Sequence, residues 1–258
     1  MSDKKRVLIL AQDTASTRIV YNTLRQDFEI CAVVLEAPVP RKEFLQRRLK
    51  KLGARAVLGQ LAFRALVVPA LSVRAKLRRA EICKEYSLDT SPIDEGKCIR
   101  VPSVNSAECR AVLAAQAPDL VVVNGTRIIS KATLESVSAR FVNIHAGLTP
   151  LYRGVHGGYW ALVQGQPGQF GVTVHFVDTG IDTGNILSQG LIRPTSRDSF
   201  VTYPFLQYAV AMPLLKQVVT DLLAGRVNTL PPPDGESRLW SHPTIAQYLG
   251  NLVRRQVW

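Results

Sequence analysis

Short apolar runs recur along this chain, each followed by a stretch of helical character. That alternation restricts the fold more than any other feature. Val7–Ala11, Ile30–Leu35, Leu120–Val123 and Phe141–Ile144 are nearly continuous in apolar side chains. Runs of this length read as strands covered on both faces, which is the pattern of a parallel sheet. Ile99–Val101 is a further short strand, and Gly171–Val177 with Ile186–Arg193 reads as a β pair. Thr17–Phe28, Ala107–Ala117, Val155–Gln164 and Val201–Leu223 read as the intervening helices. The expected fold is therefore α/β, a mostly parallel Rossmann-like sheet with helices on both faces. Residues 1–225 form the expected catalytic domain, with a basic helical insertion over about 41–84, and 226–258 a short C-terminal tail.

Ligands in such sheets bind beyond the carboxyl ends of the strands. The turn after the first strand, Ala11-Gln-Asp-Thr-Ala-Ser16, contains no glycine. A dinucleotide loop needs glycines so that backbone can approach a pyrophosphate, and no GxxxxGK[ST] loop occurs either. A dinucleotide dehydrogenase and a P-loop enzyme are both excluded. Cys31, Cys83, Cys98 and Cys109 show no CxxC pairing, and the four histidines have no chelating spacing, so no metal site is expected. Scattered cysteines read as reduced thiols. The amino terminus runs from Met1 through Arg6 into Val7-Leu-Ile-Leu10, too short for a signal-peptide core, and no stretch reads as long enough for a spanning helix. The chain is expected to be soluble and cytoplasmic.

The net charge of +12 is unevenly distributed. Arg41–Lys84 holds thirteen Lys and Arg against only Glu43 and Glu81, so this segment carries nearly all of it. The segment reads as two helices separated near Pro69 that flank the main sheet. Its interior, Ala54 to Val68, is apolar with basic punctuation. Basic flanks on an apolar helix suit an anionic membrane surface. An acceptor's diphosphate, nucleic acid, self-association or a solvated hairpin packed on the domain are the other readings, with nucleic acid the weakest.

The chemistry concentrates in Val142-Asn-Ile-His-Ala-Gly-Leu-Thr-Pro150 and in Gly171-Val-Thr-Val-His-Phe-Val-Asp-Thr-Gly-Ile-Asp-Thr-Gly184. Asn143 and His145 are two apart at a strand end, so their side chains point the same way. Asp182 sits in a turn bracketed by Gly180 and Gly184, where a carboxylate can reach back to an imidazole and fix its tautomer. His175, mid-strand between apolar neighbours, reads as structural or positioning, and His242 as structural.

This pattern resembles the folate-dependent formyltransferases, a family that includes glycinamide ribonucleotide, methionyl-tRNA and nucleotide-sugar enzymes. The resemblance rests on Asn-x-His-x-x-x-x-Pro, a Gly-Val-Thr-x-His strand and an Asp-x-Gly loop, over about 5–35 and 99–225. It implies formyl transfer from 10-formyltetrahydrofolate to a small-molecule primary amine. Asn143, His145 and Asp182 fall on the family's catalytic positions, with Asn143 and His145 donating to the oxyanion and Asp182 orienting His145. The segment Asn124–Ile129 resembles the one bordering the pteridine ring. Gly125, Arg127, Ile128, Ile129, Val177 and Ile181 are the implied cofactor-binding residues, and Arg153 and His156 the implied substrate-binding residues. The glycine-free first turn weakens the glycinamide ribonucleotide reading, and the short stretch after Leu223 weakens the methionyl-tRNA reading, whose enzymes carry a C-terminal β-barrel. Tyr152-Arg-Gly-Val155 and Gly158-Tyr-Trp-Ala161 look more like nucleotide-sugar formyltransferases, which implies an amino sugar as acceptor. The alternatives are a methionyl-tRNA or other small-amine formyltransferase, or a non-catalytic folate- or nucleotide-sugar-binding protein of the same fold; the intact Asn143, His145 and Asp182 speak against the last.

Overall fold

The computed structural model describes residues 5–258. Residues 1–4, read above as part of a start without a signal-peptide core, lie outside the described residues. In chain order the elements are β1 (Arg6–Ala11), α1 (Ala15–Leu24), β2 (Glu29–Glu36), α2 (Arg41–Leu52), α3 (Ala54–Ala62), α4 (Val68–Arg74), α5 (Lys76–Glu85) and β3 (Cys98–Val101). They continue with α6 (Ala107–Gln116), β4 (Leu120–Asn124), α7 (Lys131–Leu134), β5 (Arg140–His145), β6 (Tyr152–Gly154), α8 (Gly157–Val163) and β7 (Gly171–Phe176). Last come β8 (Ile186–Leu191), α9 (Tyr203–Leu223), β9 (Arg238–Trp240) and α10 (Ile245–Arg255).

Seven strands form one sheet in the order β3-β2-β1-β4-β5-β7-β8. The first five are parallel, β7 pairs antiparallel with β5, and β8 antiparallel with β7. Strand alternation divides the core as the sequence requires: Val7, Ile9 and Ala11 enter one apolar layer, Leu8 and Leu10 the other. Each such buried side chain contributes about 2 kcal/mol of hydrophobic stabilisation. In the register Ala11 lies beside Asn124 and Val123 beside Asn143, so β1, β4 and β5 end level at the carboxyl edge. Across the antiparallel junction Asn143 is paired with His175 and His145 with Thr173.

The basic insertion departs from the expected hairpin. Pro69 does not separate two helices; it lies in the first turn of α4, and a π turn at Phe63–Val67 joins α3 to α4 without a break. Proline clashes with the carbonyl four residues before it and offers no N–H. The wider π turn ahead of Pro69 takes up that mismatch within a helical path. The breaks fall at Gly53, which adopts φ +78, and at Ala75. The insertion does flank the sheet: Phe63, Leu71 and Ile82 belong to the first core layer. Arg78 fixes its far end, with Nε 2.8 Å from Oδ1 of Asp198, whose side chain is fully buried ahead of α9.

The tail is likewise part of the packing. β9 pairs in parallel with β6 in a second, two-stranded sheet. Trp240 stacks on Trp160 with ring centroids 4.7 Å apart, and Tyr248 of α10 meets Phe63 at 5.0 Å.

The Asp198 carboxyl feels burial upward, but Arg78 and the Thr195 N–H and hydroxyl bring it below the usual carboxylate range. A depressed folded-state pKa gives stability that is present above the unfolded value, about 3.9, and lost as pH falls through the folded one. Arg78→Ala should therefore destabilise the protein by about 3–5 kcal/mol at pH 7. Denaturant unfolding of wild type and variant should show that difference constant down to about pH 4 and shrinking below it. A difference unchanged at pH 2 to 3 would show that the pairing is not what anchors the insertion.

Candidate active site

β5 brings Asn143 and His145 to the carboxyl edge, and the loop after β7 folds back to place Asp182 against both. His145 Nδ1 lies 3.3 Å from Asp182 Oδ2, and Asn143 Nδ2 lies 3.5 Å from Oδ1. The Gly154 amide donates to Oδ2 at 2.8 Å, which ties β6 to the same carboxylate. His145 is 5% exposed, so the pair works in a nearly dry setting.

Asp182 adopts φ +51, in the left-handed region. Non-glycine residues are held there only where surrounding contacts fix them, and such positions cluster at functional sites. Here the fixing contacts are the Gly154 amide, Asn143 and the Arg153 guanidinium, whose Nη1 donates to the Ile181 carbonyl at 3.1 Å. The loop carries two identical triplets, Asp178-Thr-Gly180 and Asp182-Thr-Gly184. Asp178 closes the turn instead of entering the site, accepting from the Gly180 amide at 2.9 Å and the Thr183 hydroxyl at 2.7 Å. This organising role escaped the sequence reading, although the doubled triplet is visible there.

Hydrogen-bond geometry fixes the proton arrangement. His145 Nε2 lies 2.6 Å from the Tyr152 carbonyl, which only accepts, so Nε2 carries the hydrogen. Nδ1 then faces a carboxylate that also only accepts. The site has a place for one transferable proton, on Nδ1. Burial lowers the His145 pKa below its ordinary value, opposed by the Asp182 charge and the Tyr152 carbonyl, so Nδ1 rests unprotonated near neutral pH. Burial pushes the Asp182 carboxyl up, but His145 and the Gly154 amide outweigh it and hold it at about 2.

His175 orients the amide. Its Nδ1 donates to the Phe176 carbonyl at 2.7 Å, which leaves Nε2 as an acceptor 3.1 Å from Asn143 Nδ2. One amide hydrogen of Asn143 is thereby fixed, and the second points along the long contact toward Asp182. Gly147 lets the site close: a Cβ there would lie 2.6 Å from the Tyr152 carbonyl and 2.8 Å from His145 Nε2.

The remaining sequence-derived residues divide. Gly125, at φ +67, follows β4 with open space where a side chain would begin, and Ile128 is 55% exposed beside it. Ile129 is buried in the second core layer, and Val177 packs against that layer. Ile181 is half-buried. Arg127 turns away: its backbone N–H donates to Oε1 of the buried Glu36 at 2.7 Å, and its Nε lies 2.7 Å from Oε2. His156 also faces elsewhere, with Nε2 2.8 Å from His242 Nδ1 and its ring 4.3 Å from that of Phe200. Through Nε2 it therefore ties the start of α8 to the tail. A cavity of about 340 Å³ opens beside Asp182, lined also by Thr149, Pro150, Gly184, Asn185 and Thr229. A second, of about 280 Å³, lies between Tyr152, Trp240, Gln164, Gln169 and Glu236.

Comparison with known proteins places the chain by family and by fold. A methionyl-tRNA formyltransferase from Desulfotalea psychrophila is 41% identical over 93 residues, 36% of this chain and 28% of that protein. A phosphoribosylglycinamide formyltransferase from Mycobacterium tuberculosis is 38% identical over 125 residues, 47% of this chain and 56% of that protein. The matches thus span between about a quarter and just over half of these relatives' own length. Among solved structures, glycinamide ribonucleotide transformylase 1 from Symbiobacterium toebii superposes with a TM-score of 0.57 at 18% identity, covering 90% of this chain and 96% of that one. A sugar N-formyltransferase from a Shewanella species gives 0.56 at 18% identity, covering 91% and 76%. Both likenesses are of fold. The formyl transferase family model matches residues 44–203, so it runs through the basic segment that the motifs alone leave outside the resemblance. That span is more than half of the chain and contains Asn143, His145 and Asp182, and the chain belongs to the formyl transferase family.

Proposed function

We propose that this protein transfers the formyl group of 10-formyltetrahydrofolate to a primary amine, and that the amine belongs to the amino sugar of a nucleotide sugar. The convergence of Asn143, His145 and Asp182 carries the reading. The acceptor amine attacks the formyl carbon, and the carbonyl oxygen becomes an oxyanion. The Nδ2 hydrogen of Asn143 that rests on the long contact with Asp182 turns to that oxygen, a contact worth about 3 kcal/mol in a preorganised site. With its Nε2 hydrogen committed to Tyr152, His145 acts through Nδ1. It takes the proton the amine loses and returns it, directly or through water, as the bond from the formyl carbon to the donor nitrogen breaks. The ionised Asp182 steadies Nδ1 while it is charged. This division differs from the expected pair of oxyanion donors, because one of those donors is already occupied.

Gly125 and the exposed Ile128, at the carboxyl end of β4, suit an apolar ring laid against the sheet edge. Arg127 contributes there through the loop it pins to Glu36. Arg153 acts as a positioning residue for the Asp182 loop. The amino-sugar reading is supported by the cavity between Tyr152 and Trp240, where aromatic faces meet the amides of Gln164, Gln166 and Gln169 and the charges of Glu236 and Arg238. Such a lining suits a polyhydroxylated ring beside a flat base. Incubation with 10-formyltetrahydrofolate and a panel of amines tests the acceptor. Turnover only with methionyl-tRNA or glycinamide ribonucleotide would overturn the amino-sugar reading and leave formyl transfer standing, and no turnover with any amine would overturn both.

Asn143→Ala, His145→Ala and Asp182→Ala should each lower kcat at least about a hundredfold, with KM changed much less. Near wild-type turnover of any one at saturating acceptor would remove that residue from the chemistry. Gly147→Ala, which drives a methyl group into the Tyr152 carbonyl and the His145 ring, should cost at least about tenfold in kcat. Steady-state kinetics of the folded variant check it.

The pH profile has a defined sign. His145 serves as a base, and burial lowers its pKa, so kcat should rise through a midpoint below about 6.5, the ordinary histidine value, and level off by neutral pH. The Asp182 charge raises that pKa, so Asp182→Asn should move the midpoint to lower pH while depressing the plateau. A midpoint that rises in this variant would contradict the assigned pairing.

A further inference from the structure

The insertion turns an apolar stripe outward. Leu58 is 65% exposed, Leu66 65%, Val73 77% and Leu77 78%, and Leu61 stands out beside them. With the exposed Ala65, Pro69 and Ala70 they recur at intervals of three and four, which places them along one side of α3, the π turn, α4 and the start of α5. The opposite side holds Val57, Gln60, Phe63 and Leu71 in the fold. The helical path Ala54–Arg74 is therefore apolar on both sides. At 21 residues it is long and apolar enough to cross a bilayer, contrary to the sequence expectation, and only 17% of its most apolar window is buried. Phe63 is wedged against Phe200 and Tyr248, and Gln60 donates to the His242 carbonyl, so a path across a bilayer would tear these contacts. Lying on a surface keeps them.

Charge selects that surface. Arg55, Arg64, Arg74 and Lys76 are exposed along the stripe. The adjoining α2 buries none of its side chains and adds Arg41, Lys42, Arg47, Arg48, Lys50 and Lys51 against one acid, Glu43. α10, which packs beside α3, exposes Leu249 and Val253 one turn apart and ends in Arg254 and Arg255. A second copy of this chain on the stripe would bring two such basic segments together, and like charges oppose that. Nucleic acid would meet the basic side chains and leave the leucines uncovered, with no aromatic ring exposed among them for a base to stack on. An anionic lipid surface accounts for both the apolar stripe and its basic borders.

We propose that residues 41–77 dock this enzyme on an anionic phospholipid bilayer, the stripe from Leu58 to Leu77 entering the headgroup boundary and the surrounding Lys and Arg meeting lipid phosphates. The docking is independent of which amine is formylated. It is tested by co-sedimentation of the full chain with vesicles of phosphatidylcholine alone and of phosphatidylcholine mixed with phosphatidylglycerol, at low and high salt. The protein should pellet with the mixed vesicles at low salt and remain in the supernatant with phosphatidylcholine. Leu58→Gln with Leu66→Gln and Val73→Gln, and separately Arg41, Lys42, Lys50 and Lys51→Gln, should each lower partitioning at least about tenfold, since each basic side chain near such a surface is worth about fivefold. All these side chains are exposed, so both variants should keep the wild-type melting temperature; should one not, the lipid and salt dependence of the wild type still decides. Equal pelleting on both vesicles, or none on either, overturns the proposal. So does a concentration-dependent dimer in sedimentation velocity without lipid that the leucine variant abolishes, which would assign the stripe to a second copy.

Discussion

Asp182 holds the site together because a buried carboxylate in a left-handed turn cannot be satisfied by its own loop. Its oxygens draw in the Gly154 amide from β6, the Asn143 amide from β5 and the His145 ring from the end of the same strand. An ionised carboxylate with so little water around it is stable only while the Gly154 and Asn143 amides stay in reach. The same contacts that tolerate the φ of +51 therefore enforce the distance between the proton-carrying imidazole and the oxyanion donor. Stability of the loop and readiness for chemistry are one requirement, and Arg153, reaching the Ile181 carbonyl, serves it without touching any reacting atom.

The parallel sheet supplies the precision. With β1, β4 and β5 ending level, Asn143 and His145 emerge on one side of the last strand turns, and β7 pairs antiparallel so that His175 stands opposite Asn143. A direct cross-strand pair brings side chains close enough for the 3.1 Å contact that fixes the amide. The Asn143 amide is thus locked by backbone register, and the single mobile proton is left to the His145–Asp182 pair. Removing His175 would free the Asn143 amide to rotate, a loss of orientation and not of a reacting group.

Much of this was legible in sequence because it is local. The apolar runs gave the strands within a residue or two, since period and length are written in the side chains themselves. Asn143, His145 and Asp182 stood out through strand spacing and the bracketing glycines. What escaped depends on distant partners. β6 and β9 are three residues each, pair across more than eighty positions and carry no apolar run. The Tyr152 carbonyl that occupies His145 Nε2 is a backbone atom, invisible to side-chain pattern. His156 lies two residues from Gly154, and its Nε2 contact with His242, eighty-six positions on, is not written in the local sequence. Pro69 misled because a proline in a helical pattern usually breaks it, and only the π turn ahead of it shows how the helix passes through.

The junction between the insertion and the tail carries a consequence for how the two halves of the molecule work together. Gln60 of α3 donates to the His242 carbonyl at 2.7 Å, and His242 in turn holds His156 at the start of α8. Burial is the main cause that pushes His156 down to about 3 and His242 down to about 4, with the neighbouring histidine or the Arg48 and Arg64 charges adding to it. Both rings are therefore unprotonated throughout the neutral range, and the contact between them does not titrate when the catalytic histidine does. A protonated pair here would place positive charge against Arg64 and force the helix outward. Kept uncharged, the pair lets the basic helix stay docked on the fold at the pH where His145 is free to act as a base. The charge concentrated in the insertion is then directed outward, where solvent or an anionic surface meets it.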